Sequence, residues 1–186
     1  MKFWQGREKN RQYRLPGYDY SSDGYYFVTI CTEGGFEFFG EIRDGIMQLN
    51  KIGHVVTDCW NDISKKFKKV ELKTWQIMPN HLHGIIVITN DGRSMINHGP
   101  TSKYTIPNCP MQMAQPTLGT IIRWFKGRSS RLIRKTHNPN FSWQPRFHDH
   151  IIRNEDELNR IHTYVQNNPV QWEWDRNNPQ GEDCWF

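Results

Sequence analysis

The sequence lacks the features that would place it in several large classes. Its four cysteines, Cys31, Cys59, Cys109 and Cys184, show no Cys-x-x-Cys spacing, so neither a zinc ribbon nor a vicinal redox pair is suggested. No apolar run approaches the roughly 20 residues that a membrane-spanning helix needs. Met1 to Arg7 lack the apolar segment of a signal peptide. The expectation is a cytoplasmic chain with reduced thiols and no membrane partner. Hydrophobic residues reach only 36%, low for a globular chain, but 13% aromatic residues supply large surfaces for burial or stacking. Between Thr117 and Lys135 acidic residues are missing altogether.

What is present is basic. The formal charge is +5 and the sequence pI about 9.1, which points to anionic partners, nucleic acid first. At 186 residues the expectation is one domain over 1–186, long enough to bury a sizeable core. Residues 1–24 read as a basic arm in which Arg11 and Arg14 could lie along a phosphate backbone. Residues 90–116 are rich in Asn, Gly, Ser, Pro and Gln, keep no apolar period, and read as a loop insertion.

Periodicity assigns the rest. Tyr25 to Thr32 is a strand of aromatic and β-branched residues, followed by a hairpin-like excursion through Asp44-Gly45. Asn50 caps a helix whose stripe of Ile52, Val55, Val56, Cys59, Trp60, Ile63 and Phe67 is core packing. Val70 to Met78 and Leu82 to Thr89 are two paired strands. Thr117 caps a second helix that buries Leu118, Ile121, Ile122, Phe125, Leu132 and Ile133. Its other side carries Arg123, Lys126, Arg128, Arg131 and Arg134, a one-signed face suited to phosphates. A last helix opens at Asn154 with Glu155, Asp156 and Glu157, and stops near Asn168 because Pro169 disfavours helix in the residue before it. The simplest packing is an α+β fold, an antiparallel sheet with helices packed on one side.

One stretch stands out, Met78-Pro79-Asn80-His81-Leu82-His83, leading into the apolar run Ile85 to Ile88. Side chains alternate along a strand, so His81 and His83 share a face and can grip one ion. With 8 histidines in the chain, a His-x-His arises by chance in about one such sequence in three, so the pair decides nothing alone. Tyr164 and Asn168 are four residues apart and share a helix face. If that face meets the histidines, Tyr164 becomes a candidate nucleophile and Asn168 a third ligand. Mg²⁺ or Mn²⁺ suits such a neutral, partly open donor set facing phosphate. A phenol of ordinary pKa near 10 is ionised about one part in a thousand at pH 7, and a nearby cation raises that fraction. A phosphotyrosine link conserves the energy of the phosphodiester, so strand joining needs no nucleotide cofactor.

The His81-Leu82-His83 phrase, with the helix reading Tyr164-Val165-Gln166-Asn167-Asn168-Pro169, resembles the HUH single-tyrosine transposases, and most closely their REP-associated tyrosine transposase branch. Leu15 to Tyr20, Tyr26 to Thr32, Leu118-Gly119 with Phe125-Lys126, and Asp149 to Arg153 match further phrases of that branch in the same order. The resemblance implies a ferredoxin-like (RRM-like) fold with the metal pair on a central strand. It implies that His81 and His83 bind metal, with Asn168 where the family places a polar third ligand. It also implies that Tyr164 forms a 5′-phosphotyrosine on single-stranded or hairpin DNA, in a monomer or a homodimer. His148 departs from the pattern, standing where relatives often carry an aromatic residue. Two other readings compete with this enzyme: a catalytically silent single-stranded DNA- or RNA-binding module, and a metal-dependent hydrolytic nuclease. Only the transposase reading predicts a covalent adduct.

Overall fold

A computed structural model describes residues 15–89, 116–175 and 177–179. Arg11, Arg14 and residues 90–115 of the expected insertion lie outside the described residues.

The chain order is β1 (Gly24–Cys31), a hairpin of β2 (Gly40–Arg43) and β3 (Ile46–Leu49), α1 (Lys51–Lys66), β4 (Val70–Ile77), β5 (His81–Ile88), α2 (Leu118–Thr136), β6 (His148–Ile152) and α3 (Glu155–Asn167). Four strands form one antiparallel sheet in the order β4-β5-β1-β6. With the hairpin set aside, β1-α1-β4-β5-α2-β6 is the ferredoxin-like path that the family resemblance implies. The hairpin turns at Asp44 and Gly45, with φ of 51° and 72°, the left-handed pair that a tight two-residue turn requires.

Caps set the helix starts. Asn50 accepts hydrogen bonds from the Ile52 and Gly53 amides, Thr117 from Thr120, and Asn154 from Glu157. Lys65 and Lys66 close α1, where the dipole favours cations.

The eight residues of β5 are all buried, as expected for a strand covered on both faces. Leu82, Ile86 and Ile88 join Tyr26, Val28 and Ile30 of β1 in the main core, and α1 and α2 pack together on this side with Val56, Trp60, Ile63, Ile121, Ile122, Phe125 and Ile133. Gly84 belongs to the same face. A Cβ there would stand 2.4 Å from Trp60 Cζ2, so the indole lies directly on the strand backbone.

The odd positions of β5 point the other way. Ile85 and Val87 gather with Tyr25 and Ile152, and Leu158 and Ile161 of α3 lie over them. α3 reaches β4 as well, where His162 hydrogen-bonds Thr74. The start of α3 is fixed by Glu157, which accepts from the Arg153 amide at 2.8 Å and from His150 Nε2 at 2.7 Å. α1 and α2 therefore fill one side of the sheet, and α3 is the described α-helix that crosses the side carrying the odd residues of β5. No helix among the described residues is long and apolar enough to cross a membrane.

Candidate active site

Register determines what stands beside the two histidines. β1 pairs with β5 so that Thr29 faces His83 and Cys31 faces His81. His81 and His83 are 0% and 1% exposed, and their Nε2 atoms lie 3.0 Å apart. Both rings are held from behind. His83 Nδ1 is 2.9 Å from Thr29 Oγ1, and His81 Nδ1 is 2.8 Å from Asn80 Oδ1. The Phe27 ring stacks on His83 at 5.4 Å, and Trp172 lies 6.0 Å from the His81 ring.

α3 brings Tyr164 to this pair. Its hydroxyl lies 3.4 Å from His83 Nε2, and its ring meets His83 and Phe27 edge-on. Tyr164 is 39% exposed, so the phenol joins the buried pair to solvent. The nucleophile candidate and the histidines meet within one chain.

The structure adds a residue that the sequence reading missed. After Pro169 the chain turns back through a short 3-10 segment, Trp172–Trp174, and buries Asp175 beside the histidines. Asp175 Oδ2 is 3.9 Å from His81 Nε2. Among the described residues, the ligand atoms of His81, His83 and Asp175 form one buried group, all within 4.8 Å of one another, that could hold a metal ion. Asn168, at the C-cap of α3, donates its amide nitrogen to Asp175 Oδ2 at 2.9 Å. Its Oδ1 is buried with no hydrogen-bond partner among the described residues. The other carboxylate oxygen of Asp175 accepts from the backbone and side-chain nitrogens of Asn177 at 2.7 and 3.0 Å.

Three donor types in one buried cluster fit a divalent cation well. Two imidazoles and one carboxylate suit Mn²⁺, Mg²⁺ or Zn²⁺, and the orphaned Asn168 oxygen is an acceptor whose burial costs free energy until a cation or water meets it. The cluster opens into a cavity of about 440 Å³ lined by Phe27, His83, Tyr164, Asn168, Gln171, Trp174 and Asp175. Trp174 stands at its rim, 69% exposed.

The basic residues of α2 lie elsewhere. α2 packs on the side of the sheet opposite the histidines, so the sheet separates its cations from the cavity. Arg123 and Arg131 are exposed. Arg128 pairs with Asp62 of α1 at 2.7 Å and lies over Trp124, and Arg134 Nε donates to the Phe141 carbonyl at 2.7 Å. Lys126 donates to the carbonyls of Gln144 and Arg146, both at 2.7 Å, and burial lowers its pKa to about 8. It staples the 141–147 segment to the helix.

Asp175 could not be reached by pattern. It sits in Trp172-Glu173-Trp174-Asp175, which carries neither a helical nor a strand period. The available signal was the proline stop at 169 followed by a dense aromatic run, a sign that the chain folds back onto something apolar.

No family model matches the chain. A REP-associated tyrosine transposase solved bound to a REP hairpin shares the fold, with a TM-score of 0.53 and 19% identity over 89% of this chain and 76% of that one. An uncharacterized protein of Haemophilus influenzae is 38% identical over 175 residues, which cover 94% of this chain and 96% of the relative. At that identity over nearly the whole of both chains, the protein belongs to the same family as its Haemophilus influenzae relative.

Proposed function

We propose that the protein is a metal-dependent DNA transposase or endonuclease that cleaves and rejoins single-stranded hairpin DNA through a covalent 5′-phosphotyrosine. The observation that carries this reading is the meeting of Tyr164 with His83 at 3.4 Å, beside a buried His81, His83 and Asp175 group. The fold shared with a hairpin-bound tyrosine transposase supports the same direction.

His81, His83 and Asp175 would hold the divalent ion, with Asn168 Oδ1 as a further donor. When bound, the ion supplies a Lewis acid that offsets charge developing on phosphoryl oxygens. With a carboxylate among the ligands, the loaded site would keep one unit of positive charge, less than an all-neutral set would leave. Tyr164 Oη forms the new bond to phosphorus and the bond to the 3′-oxygen breaks. The phenolic proton ends on the freed 3′-hydroxyl, so one P–O bond replaces another and rejoining is the reverse step. Phe27 shields His83 from water on one flank. Trp174, exposed at the rim, offers a ring on which a base flanking the scissile phosphate can stack. Arg123 and Arg131 lie behind the sheet, so a substrate held by them and by the cavity must wrap round a sheet edge.

A gel assay tests the reading. Labelled single-stranded hairpin DNAs are incubated with protein and Mg²⁺ or Mn²⁺, denatured, and run beside the Tyr164→Phe variant. A protein-linked band that the variant lacks is the expected result. Cleavage without an adduct, surviving in Tyr164→Phe, would replace the transposase with a hydrolytic nuclease. Binding without cleavage would leave a silent binding module.

A further inference from the structure

The hydrogen bonds behind the two histidines differ in kind. Asn80 has no freedom. Its amide nitrogen donates to the Gly35 carbonyl at 3.0 Å and to the Asn177 carbonyl at 2.7 Å, which uses both of its protons. Its Oδ1 is left as an acceptor facing His81 Nδ1 at 2.8 Å, so His81 must carry its proton on Nδ1. With both rings neutral, the lone pair of His81 Nε2 points at His83. Because the two Nε2 atoms are 3.0 Å apart, the proton between them belongs to His83. His83 Nδ1 is in turn an acceptor from Thr29 Oγ1 at 2.9 Å. A hydroxyl, unlike an amide held at both ends, can rotate to donate or accept.

We propose that Asn80 and Thr29 are positioning residues with opposite duties: Asn80 locks His81 as the Nδ1–H tautomer, and Thr29 lets His83 exchange its Nε2 proton for one on Nδ1 when a cation enters. The inference rests on the metal reading given above. It assigns the tautomers of the metal-free protein independently of that reading. With a cation held by the pair, His83 would give up the Nε2 proton to water and take one up at Nδ1, where Thr29 Oγ1 would accept it, so the ring would stay neutral. His81 changes nothing. The same Asn80 amide ties down the Asn177 carbonyl, and Asn177 in turn holds the Asp175 carboxylate. One side chain therefore sets a histidine's tautomer and docks the segment that carries the acidic ligand.

Ring ¹⁵N shifts of histidine-labelled protein, at a pH that keeps both imidazoles neutral, read this directly. In the metal-free wild type, His81 should be Nδ1–H and His83 Nε2–H. Zn²⁺, used as a diamagnetic probe, should leave His81 unchanged and convert His83 to Nδ1–H. Asn80→Leu should scramble the His81 tautomer and weaken Mn²⁺ binding, followed by electron paramagnetic resonance, by about 10–100-fold. Asn80→Asp keeps an acceptor toward His81 but loses both amide donors, so it should keep the tautomer while loosening the hold on Asn177. Thr29→Val should weaken Mn²⁺ binding while leaving the metal-free tautomers in place, and Thr29→Ser should restore it. A wild-type His81 protonated at Nε2 overturns the proposal, and so does an Asn80→Leu protein with tautomer and affinity intact. If substitutions at position 80 prevent folding, the wild-type spectra still decide the assignment. Wild-type protein with both tautomers as assigned but no affinity for either ion would sink the metal reading and uphold the Asn80 lock.

Discussion

The two faces of β5 are written in alternate letters of one eight-residue strand, yet they are held together in different ways. Toward α1 and α2, Leu82, Gly84, Ile86 and Ile88 meet apolar side chains, and what matters there is volume. Toward α3, His81 and His83 are just as buried, but each ring nitrogen needs a partner at hydrogen-bond distance. A misplaced methyl on the first face leaves a gap or a clash. A misplaced acceptor on the second leaves a buried polar atom unsatisfied, which costs about 1–3 kcal/mol on its own. One face is tolerant in detail and sensitive in sum, and the other is the reverse.

Substitutions can set the faces against each other. The largest effect is expected from Tyr164→Phe, which removes one partly exposed oxygen. It should lower adduct formation by about 10⁴-fold or more while stability stays within about 0.5 kcal/mol. Denaturing gels and urea melts measure the two quantities. On the opposite face, Trp60→Ala should cost about 3–5 kcal/mol of stability. The fraction that remains folded should keep its affinity for Mn²⁺; loss of that affinity would mean that the faces are not separable. Asp175→Asn keeps the shape and removes the charge, and calorimetry should show Mn²⁺ affinity falling by about 10–100-fold. Lys126→Met strips two carbonyls of their donor and should cost about 1–3 kcal/mol in urea, with the salt dependence of DNA binding unchanged. The smallest change in stability, within about 0.5 kcal/mol, is expected from Arg123→Ala with Arg131→Ala. There the salt slope for single-stranded DNA should flatten by about 1 per arginine if the substrate wraps the sheet. An unaltered slope would confine the substrate to the α3 side.

How much of this was legible follows the same division. The α1 stripe, its Asn50 cap, the Thr117 and Asn154 starts and the Pro169 stop are local facts, carried by spacings of three and four or by single residue types. The strand order is not local, because pairing β5 with both β4 and β1 depends on where the helices return the chain. The co-facial His81 and His83 could be read from alternation alone. Tyr164 beside them was reached through helix spacing and the family resemblance, but the remaining partners could not be read. Thr29 is found only through register, Asn80 reads as a turn residue, and Asp175 comes from a segment with no period. The cations of α2 show the converse limit. A one-signed helix face looked uniform in sequence, yet Lys126, Arg128 and Arg134 are engaged by carbonyls and by Asp62, groups whose proximity no helical spacing records.

The way α3 is attached has a kinetic consequence. β5 lies between two other strands and under two layers, so its amide hydrogens should exchange only when the whole protein unfolds. α3 is held by a small cluster, Leu158 and Ile161 over Tyr25, Ile85, Val87 and Ile152, with Val165 buried near its end. Its amides should exchange through a lesser opening that leaves the sheet intact. Tyr164 rides on that helix, and Asp175 on the turn that follows it. A fluctuation too small to denature the protein would thus strip the histidines of both the phenol and the carboxylate at once. The pair in the sheet would then be the permanent half of the candidate site, with the other half in place only while one helix stays down.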